Sequence, residues 1–288
     1  MQHQPVLCRE VIDLLRPRPG GVYVDATLGL GGHAEQIANR GGRVVGIEWD
    51  DDAASRAAER LGAAATIVRD SYAHLPLILE NLKITVVDGI LIDLGVSSLQ
   101  FDTASRGFSF QREGPLDMRM SPLLPRTAKE LIQGSGEREL ELIFREYGEE
   151  PRARKIAAAI ARARGEPGSD ILESTRALGD FVERVVGRHG RTHPATRVFQ
   201  ALRIAVNGEL DNLKKFLEVF DRFLGAGARC AVISFHSLED RLVKRAFKGK
   251  SAGGGLKIVT KKPVRASREE VLANPRSRSA KLRVVEKV

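Results

Sequence analysis

The stretch DATLGLGGHA, residues 25–34, joins a short β-branched segment that ends at Asp25 to a segment with helical spacing of its apolar residues. From Gly29 onward the stretch fits G-x-G-x-x-[GA], the pattern of a nucleotide-binding loop between a strand and a helix. Glycines in such a loop allow the backbone to approach a ligand closely. The stretch therefore predicts the first strand–loop–helix unit of an α/β fold, with a ligand at the loop.

Strand and helix patterns alternate on both sides of this loop. Strands are predicted at 21–25, 43–48, 66–68 and 86–93, and helices at 6–15, 33–40 and 52–61. This alternation favours a mostly parallel, doubly wound α/β sheet, in which ligands bind at the carboxyl ends of the strands. Acidic residues are predicted at three of those ends, namely Asp25, Glu48 and Asp93.

The middle of the chain has a helical pattern instead. Helices are predicted at 127–132, 137–147, 152–164, 174–186 and 196–206. The strand pattern resumes at 230–235, after a predicted helix at 210–224 and a turn at 225–227, and a last strand is predicted at 281–288. We therefore predict a Rossmann-like domain in two parts, 1–109 and 208–288, interrupted by an all-helical insert at 110–207.

The bulk composition is that of an ordinary soluble globular protein, with 42% hydrophobic and 29% charged residues in 288. No apolar run approaches the roughly 18 residues of a membrane span, and the first residues lack the basic and apolar regions of a signal peptide. Only two cysteines, Cys8 and Cys230, are present. Their wide spacing argues against a disulfide or zinc framework and favours a reducing, cytoplasmic location.

Positive charge is concentrated at the end of the chain. From Arg241 to Val288 there are fifteen Lys and Arg residues and three Asp and Glu residues, a net charge of +12. Because the whole chain carries +9, the remainder carries −3. This concentration favours binding to a polyanion such as nucleic acid, although a solvated basic tail has the same composition.

The glycine loop alone does not identify its ligand. Glu48 follows Gly29 by 19 residues, the position of a ribose-binding carboxylate in proteins that bind an adenosine cofactor. Asp25 separates the alternatives, because a carboxylate there repels a pyrophosphate but attracts a sulfonium and an α-ammonium group. The loop lacks Gly-Lys-[Ser/Thr], which excludes a P-loop. These residues favour S-adenosylmethionine over the alternative, a nicotinamide cofactor of an oxidoreductase.

Longer motifs make the chain similar to the RsmH (MraW) family of bacterial methyltransferases. They are DLGVSS at 93–98, RGFSF at 106–110, GPLDMRM at 114–120, HPATR at 193–197, SFHSLEDR at 234–241 and NPRSRS at 274–279. The resemblance covers essentially the whole chain. It implies a class I S-adenosylmethionine-dependent methyltransferase fold with a helical insert. It also implies methylation of the exocyclic N4 of a cytosine in the decoding centre of 16S ribosomal RNA.

The resemblance also implies which residues hold the cofactor, S-adenosylmethionine. In addition to Asp25, they are Gly31, Gly32, His33, Glu48, Tyr72, Asp93 and Gln100. Glu48 stands where relatives often have Asp, and we expect either carboxylate to accept the ribose hydroxyls. Tyr72 stands where Phe is common, and either aromatic ring can flank the adenine.

The expected chemistry assigns a role to the end of the fourth strand. A cytosine N4 amine is a weak nucleophile, so the protein must align it and accept a hydrogen bond from its N–H. Asp93 is the expected acceptor, and Ser97 and Ser98 are expected to contact the base or the cofactor. This transfer requires neither a metal nor a covalent intermediate. Phe108 and Phe110 could stack on the base, but their alternating spacing is equally typical of a core.

Ribosomal RNA is the expected partner, within the small subunit or a late precursor of it. Arg276 and Arg278 are expected to contact RNA phosphates, because a basic segment with little helical pattern offers few internal partners. Arg197 is a further RNA candidate, although Arg197 and Arg203 could instead form pairs between the two domains. A monomer and a homodimer are both compatible with the sequence.

Some alternatives stay open at this stage. His236 could contact a ligand or be a hydrogen-bonded structural residue, and Asp117 and Arg119 are expected to form a salt bridge rather than to act in catalysis. A non-catalytic RNA-binding or assembly factor that retains an adenosine pocket is the competing function. The acids at three strand ends disfavour it, because a purely structural pocket does not require them.

Overall fold

The computed structural model describes residues 5–188 and 193–288. The strands of these residues are β1 Val22–Asp25, β2 Arg43–Ile47, β3 Ala65–Val68, β4 Val87–Asp93, β5 Leu224–Ser234, β6 Leu256–Ile258 and β7 Lys281–Lys287. The α-helices are α1 Cys8–Leu15, α2 Gly32–Ala38, α3 Asp51–Leu61, α4 Leu75–Asn81, α5 Ser98–Asp102, α6 Ala128–Gly134, α7 Glu137–Glu146, α8 Ala153–Ala163, α9 Thr175–Val186, α10 Ala195–Asn207, α11 Glu209–Val219, α12 Ser237–Ala252 and α13 Arg268–Ala273. None of these helices is both long and apolar enough to cross a membrane.

The described strands form one seven-stranded sheet in the order β3-β2-β1-β4-β5-β7-β6. Strands β1 to β5 run parallel to one another. In contrast, β7 is antiparallel to β5, and β6 is antiparallel to β7. The mostly parallel, doubly wound α/β sheet is therefore confirmed. Strand order reverses between β1 and β4, and such a reversal is where open α/β sheets bind their ligands.

Two apolar layers cover the faces of this sheet, and β4 contributes to both. Ile90 and Ile92 are fully buried in a layer that includes Phe216 and Phe220, which precede β5 in the chain. Leu91, between them, is fully buried in the opposite layer, which includes residues of α1. Side chains of a strand alternate between faces, so a central strand buried on both sides is apolar at every position. This explains the continuous run GILI in β4.

The predicted end of the helix at 210–224 is wrong, and so is the predicted turn at 225–227. Helix α11 ends at Val219, and β5 begins at Leu224 and includes the three residues of the predicted turn. Pairing of β5 with β4 is irregular between Val87 and Gly89, and Gly227 has a φ of +75°. Glycine tolerates this backbone conformation, so the segment bends as part of the strand rather than ending it.

The short antiparallel strand β6 was not predicted. It has three residues and follows Gly253, Gly254 and Gly255. It forms through pairing with β7, which lies more than twenty residues later in the chain. A strand of this length contains too few residues to reveal an alternating pattern, so only its distant partner identifies it.

The chain forms two compact units, one of residues 1–95 and 210–288 and the other of residues 96–209. The predicted insert, 110–207, lies within the second unit, which begins earlier, at Val96. All five helices predicted between 127 and 206 are found, as α6 to α10. Their apolar faces pack around fully buried side chains such as Leu140, Phe144 and Ile156.

Two motif segments of the second unit are held by tight backbone contacts. Gly107 has a φ of +73°, and a Cβ there would lie 2.1 Å from the carbonyl oxygen of Pro115. The side chain of Asn207 accepts a hydrogen bond from the N–H of Met120 at 2.7 Å and donates one to the carbonyl of Met118 at 2.8 Å. The motifs RGFSF and GPLDMRM therefore have a structural role within this unit.

Candidate active site

The three predicted acids meet at the carboxyl edge of the parallel strands. Asp25 is the last residue of β1, Glu48 follows the last residue of β2, and Asp93 is the last residue of β4. Because β1 pairs with both β2 and β4, the ends of these strands are neighbours in space. The glycine loop follows β1 at the same edge. This cluster of acids and loop belongs to the first unit.

The loop geometry depends on its glycines. Gly29 and Gly31 have φ values of +53° and +78°, a conformation that other residues rarely adopt. A Cβ at Gly31 would lie 2.9 Å from Leu61, and one at Gly46 would lie 2.7 Å from Leu28. Gly29 and Gly31 therefore permit the backbone conformation of the turn. Gly46 allows Leu28 of the loop to pack closely on β2.

Glu48 is locked to this loop through its carboxylate. Its Oε2 accepts a hydrogen bond from the N–H of Gly29 at 2.8 Å, and its Oε1 accepts one from the N–H of Asp50 at 2.9 Å. The residue is 8% exposed. Burial raises the pKa of Glu48 to about 7, although the backbone hydrogen bonds oppose this. Each oxygen retains a second lone pair, so the carboxylate can still accept hydroxyl groups from a ligand.

Asp25 is buried beneath the loop, with 1% of its surface exposed. Its Oδ1 lies 3.3 Å from the N–H of Thr27, which donates a hydrogen bond to it. Burial raises the pKa of Asp25 to about 6, and the nearby His33 partly offsets that rise. Around neutral pH, most of the protein therefore carries a desolvated negative charge at this position.

His33, which the family resemblance predicts as a cofactor contact, adds a positive charge to this cluster. The sequence did not predict that charge. The residue lies in the first turn of α2 and is 5% exposed, and its Nε2 is 3.6 Å from Oδ2 of Asp93. Burial lowers the pKa of His33, but the polar side chains of Asp93 and Cys8 close to the ring and the charges of Asp93 and Asp25 raise it to about 10. The ring is therefore an imidazolium at neutral pH, and the cluster is less acidic than its three carboxylates imply.

Asp93 is anchored through its backbone while its side chain stays partly accessible. Its N–H donates a hydrogen bond to Oγ1 of Thr27 at 2.6 Å, and its side chain is 24% exposed. Its Oδ1 is buried without a hydrogen-bond partner among the described residues. The exposed part of the side chain therefore lies away from Oδ1. A partly accessible carboxylate that is held in place can accept a hydrogen bond from a ligand.

Tyr72 follows β3 in a short 3₁₀ turn, at the same edge of the sheet. Its ring lies at 89° to that of Phe216, with ring centroids 6.0 Å apart. The ring is half-buried, and β3, which Tyr72 follows, pairs with β2, the strand that Glu48 follows. The predicted contact with an adenine stays a prediction.

Ser97, Ser98 and Gln100 lie at the start of α5, in the second unit. Oγ of Ser97 accepts a hydrogen bond from the N–H of Gln100, and Oε1 of Gln100 accepts one from the N–H of Ser97. These reciprocal bonds form a capping box, which stabilises the helix start. The two residues thus have a local structural role, and the predicted contacts of all three with base or cofactor stay predictions.

The basic candidates differ in their surroundings. Arg276 and Arg278 are exposed in the turn Pro275–Ser279. Arg197 lies 4.0 Å from the buried carboxylate of Glu150, and Arg203 makes two hydrogen bonds with Glu209, at 2.8 and 2.9 Å. All four paired residues belong to the second unit, so these pairs lie within one unit and are not the predicted pairs between domains.

The remaining candidates have structural contacts. Arg119 donates two hydrogen bonds to the Asp117 carboxylate, at 2.8 and 2.9 Å, which confirms the predicted salt bridge. Phe108 is buried, and Phe110 packs against His193 and Phe199 with ring centroids 4.6 and 5.1 Å apart. Both phenylalanines thus contribute to packing within the second unit.

His236 caps α12. It forms a capping box with Glu239, whose Oε2 also accepts a hydrogen bond from the N–H of Phe235 at 2.8 Å. Nε2 of His236 lies 3.1 Å from Oε1 of the same Glu239. Of the two roles left open by the sequence, the structure therefore shows the hydrogen-bonded structural one.

Comparisons with known proteins identify the family of this chain. The model of the MraW methylase family matches residues 1–288. A protein of Pelobacter propionicus named ribosomal RNA small subunit methyltransferase H is 46% identical, over 100% of this chain and 99% of its own length. Proteins of the same name from Desulfotalea psychrophila and Coprothermobacter proteolyticus are 48% and 49% identical, over 99% and 100% of this chain and 98% and 96% of their own lengths.

The strand order of the described sheet, with its antiparallel β7 beside β5, is that of class I S-adenosylmethionine-dependent methyltransferases. The family match extends over the whole chain, and the relatives align along nearly their full length. Both findings agree with the predicted cofactor, S-adenosylmethionine. The chain therefore belongs to the MraW methylase family and is a methyltransferase.

Proposed function

We propose that this protein transfers the methyl group of S-adenosylmethionine to the exocyclic N4 of a cytosine in the decoding centre of 16S ribosomal RNA. The observation that carries the proposal is Asp93, an anchored and partly accessible carboxylate at the end of β4, beside the cofactor loop. The names of the relatives support small-subunit ribosomal RNA as the substrate class.

The residues of the first unit fit S-adenosylmethionine. The buried Asp25 supplies negative charge for a cation, and Glu48 offers oxygen lone pairs for the ribose hydroxyls. Gly29 and Gly31 have positive φ values and no Cβ, so side-chain atoms do not block a ligand from the backbone at these two positions. Tyr72 provides an aromatic ring after β3, the strand that pairs with β2. When bound, the cofactor supplies the electrophilic methyl group.

Asp93 is proposed to compensate for the weak nucleophilicity of the cytosine amine. The N4 lone pair is delocalised into the ring, and a hydrogen bond from N4–H to a carboxylate raises the electron density on the nitrogen as it attacks. Holding the acceptor in place also aligns the amine. Ser97 and Ser98, a few residues beyond Asp93 in the chain, are proposed to contact the base or the cofactor.

Methylation at N4 rather than at C5 agrees with the state of the cysteines. C5 methylation of a pyrimidine proceeds through a covalent adduct with a nucleophilic thiolate. Cys230 is fully buried in β5, and burial raises the pKa of its thiol well above the usual range. Cys8 lies close to His33 in the candidate site. It is therefore the cysteine whose role as a nucleophile is to be tested.

The function is tested by methyl transfer to small ribosomal subunits that lack the modification. Subunits and protein-free 16S RNA are incubated with the full chain and S-adenosylmethionine, and the product nucleoside is identified by mass spectrometry. We expect N4-methylated cytidine, with wild-type protein and with Cys8→Ser. A C5-methylated product that is lost in Cys8→Ser would contradict the proposal. Binding to subunits without any transfer would support the assembly-factor alternative.

The basic C-terminal segment is proposed to bind RNA phosphates. Arg276 and Arg278 are exposed, and so are Lys244, Arg245 and Lys248 on α12. Oγ of Ser277 donates a hydrogen bond to the carbonyl of Asn274 at 2.8 Å, which stabilises the turn independently of the arginines. The same segment therefore combines exposed cations with a stable backbone. The helical unit, including Arg197, is proposed to take part in substrate recognition.

Reversing both charges in Arg276→Glu/Arg278→Glu is expected to weaken RNA binding and to leave S-adenosylmethionine affinity unchanged. Loss of two phosphate contacts flattens the slope of log affinity against log salt by about 1–2. The measurement is a salt titration of binding to the RNA substrate. Lys214→Glu/Lys215→Glu on α11 is the matched control, since it makes the same charge change at exposed residues outside the basic segment. An unchanged salt slope in the arginine variant would assign this turn to structure alone.

A further inference from the structure

The histidine of the cofactor loop lies among groups from three other elements. The ring of His33, in α2, is close to Asp93 at the end of β4, to Asp25 at the end of β1, and to Cys8 at the start of α1. Both ring nitrogens are inaccessible to solvent, and the whole residue is 5% exposed. A histidine at this position is therefore suited to interact with its carboxylate neighbours rather than with bulk water.

The contact with Asp93 is close but not a formed hydrogen bond. Nε2 of His33 lies 3.6 Å from Oδ2 of Asp93, beyond the usual hydrogen-bond range. The other oxygen, Oδ1, is buried without a hydrogen-bond partner among the described residues. The ring therefore faces Oδ2, and the exposed part of the Asp93 side chain lies away from Oδ1. The distance is short enough for a strong charge interaction in a desolvated site.

We propose that His33 is a positioning residue for Asp93, and that its ring holds the carboxylate in the orientation that receives the hydrogen bond from the base to be methylated. This inference rests on the proposed function of Asp93. The contact is made by the side chain of His33, whereas the glycines beside it shape the loop through their backbone. It is therefore separable from the expected contact of the loop with the cofactor.

The energetic reason lies in the freedom of a carboxylate on a short side chain. Thr27 holds the backbone of Asp93, and the ring of His33 faces its Oδ2 from 3.6 Å. Without the ring, the carboxylate can rotate, and each transfer would require it to be reoriented. Preorganised groups avoid this cost, and a misplacement of about 1 Å can reduce a rate by about 100-fold.

The test separates the charge of the ring, its hydrogen-bond donor and its bulk. His33→Gln keeps a donor without the charge, and His33→Leu keeps the bulk without either. We measure single-turnover methyl transfer, S-adenosylmethionine affinity by calorimetry and thermal unfolding for each full-length variant. We expect the transfer rate of His33→Leu to fall by about 10- to 100-fold, with cofactor affinity nearly unchanged and partial recovery of the rate in His33→Gln.

The double variant Asp93→Ala/His33→Leu tests whether the ring acts through Asp93. Two residues that act as one unit show non-additive effects. We therefore expect the double variant to be no slower than Asp93→Ala. Independent effects that multiply, a His33→Leu rate equal to wild type, or a loss of cofactor affinity equal to the loss of rate would each overturn the inference. Full activity of Asp93→Ala would instead remove the proposed function of Asp93.

A measurement on the wild-type protein keeps the inference testable if the His33 variants do not fold. Nitrogen-15 NMR of the histidine rings reports the charge and the tautomer of His33. We expect a ring that stays charged through neutral pH and whose pKa falls in Asp93→Asn, because the carboxylate charge is one cause of the raised value. A ring that is neutral at pH 7, or one that does not respond to Asp93→Asn, would overturn the inference.

Discussion

Replacing Asp93 with alanine is expected to lower the rate of methyl transfer by about 10²–10⁴-fold, the usual contribution of a positioned proton acceptor. The substitution removes the acceptor for the N4–H of the cytosine at the end of β4. The protein stays folded, because the N–H of residue 93 still bonds to Thr27 and the pairing of β4 with β1 and β5 is made by backbone atoms. The measurement is single-turnover transfer to the RNA substrate, together with thermal unfolding.

Asp88 provides a matched control on the same strand. It lies near the amino end of β4, where its carboxylate accepts a hydrogen bond from the N–H of Val22 and pairs with Arg18. Asp88→Ala is therefore expected to lower stability but to retain the wild-type rate. Asp93→Asn keeps an oxygen acceptor without the charge, and an intermediate rate is expected. A fully active Asp93→Ala protein would remove this residue from the reaction.

The sheet and the acids at its edge could be predicted because both depend on local order in the sequence. The run GILI before Asp93 is apolar at every position because its two faces are buried in different layers. Parallel strands end at one edge, so an acid at each end implies a cluster without knowledge of any side-chain position. The helices between 127 and 206 were predicted for the same reason, since their apolar spacing and their breaks are local.

Contacts between distant residues could not be predicted in this way. His33 and Asp93 are sixty positions apart, and only the packing of α2 against the sheet brings the ring to the carboxylate. Sequence reasoning consequently described the pocket as acidic, and the buried imidazolium corrects that description. Such charges change the electrostatics of a site while leaving the pattern of the sequence unaltered.

Cofactor affinity is expected to rise between about pH 5.5 and 8, because binding favours the ionised forms of two buried carboxylates. Without ligand, the pKa of Glu48 is about 7 and that of Asp25 is about 6, both raised by burial. A cationic cofactor and hydrogen bonds from its hydroxyl groups lower both values, so protons are released on binding. Calorimetry in buffers of different ionisation enthalpy measures this release near pH 6.5.

The same groups make the ligand-free protein respond to pH in the opposite sense. An acid whose pKa is raised in the folded state binds more protons there than in the unfolded chain, so folding stability falls as pH rises through that pKa. For Glu48 this loss spans the range from about 4.3, the unfolded value, to beyond 7. His33, whose pKa is raised to about 10, adds a loss of the same sign above its unfolded value. The midpoint of thermal unfolding of the ligand-free protein should therefore decrease toward pH 8, while the shift produced by cofactor increases.

Glu48→Gln isolates the contribution of this carboxylate, because it keeps the size of the side chain and leaves Asp25 and His33 unchanged. Hydrogen bonds to a charged group contribute about 1.5–3 kcal/mol each, so loss of the charge is expected to weaken cofactor binding roughly 10- to 100-fold. The step in affinity near pH 7 should disappear, and the step near pH 6, due to Asp25, should persist. An unchanged pH profile in Glu48→Gln would show that the cofactor does not bind at this carboxylate. In that case Glu48 would serve only to hold the loop, through the N–H groups of Gly29 and Asp50.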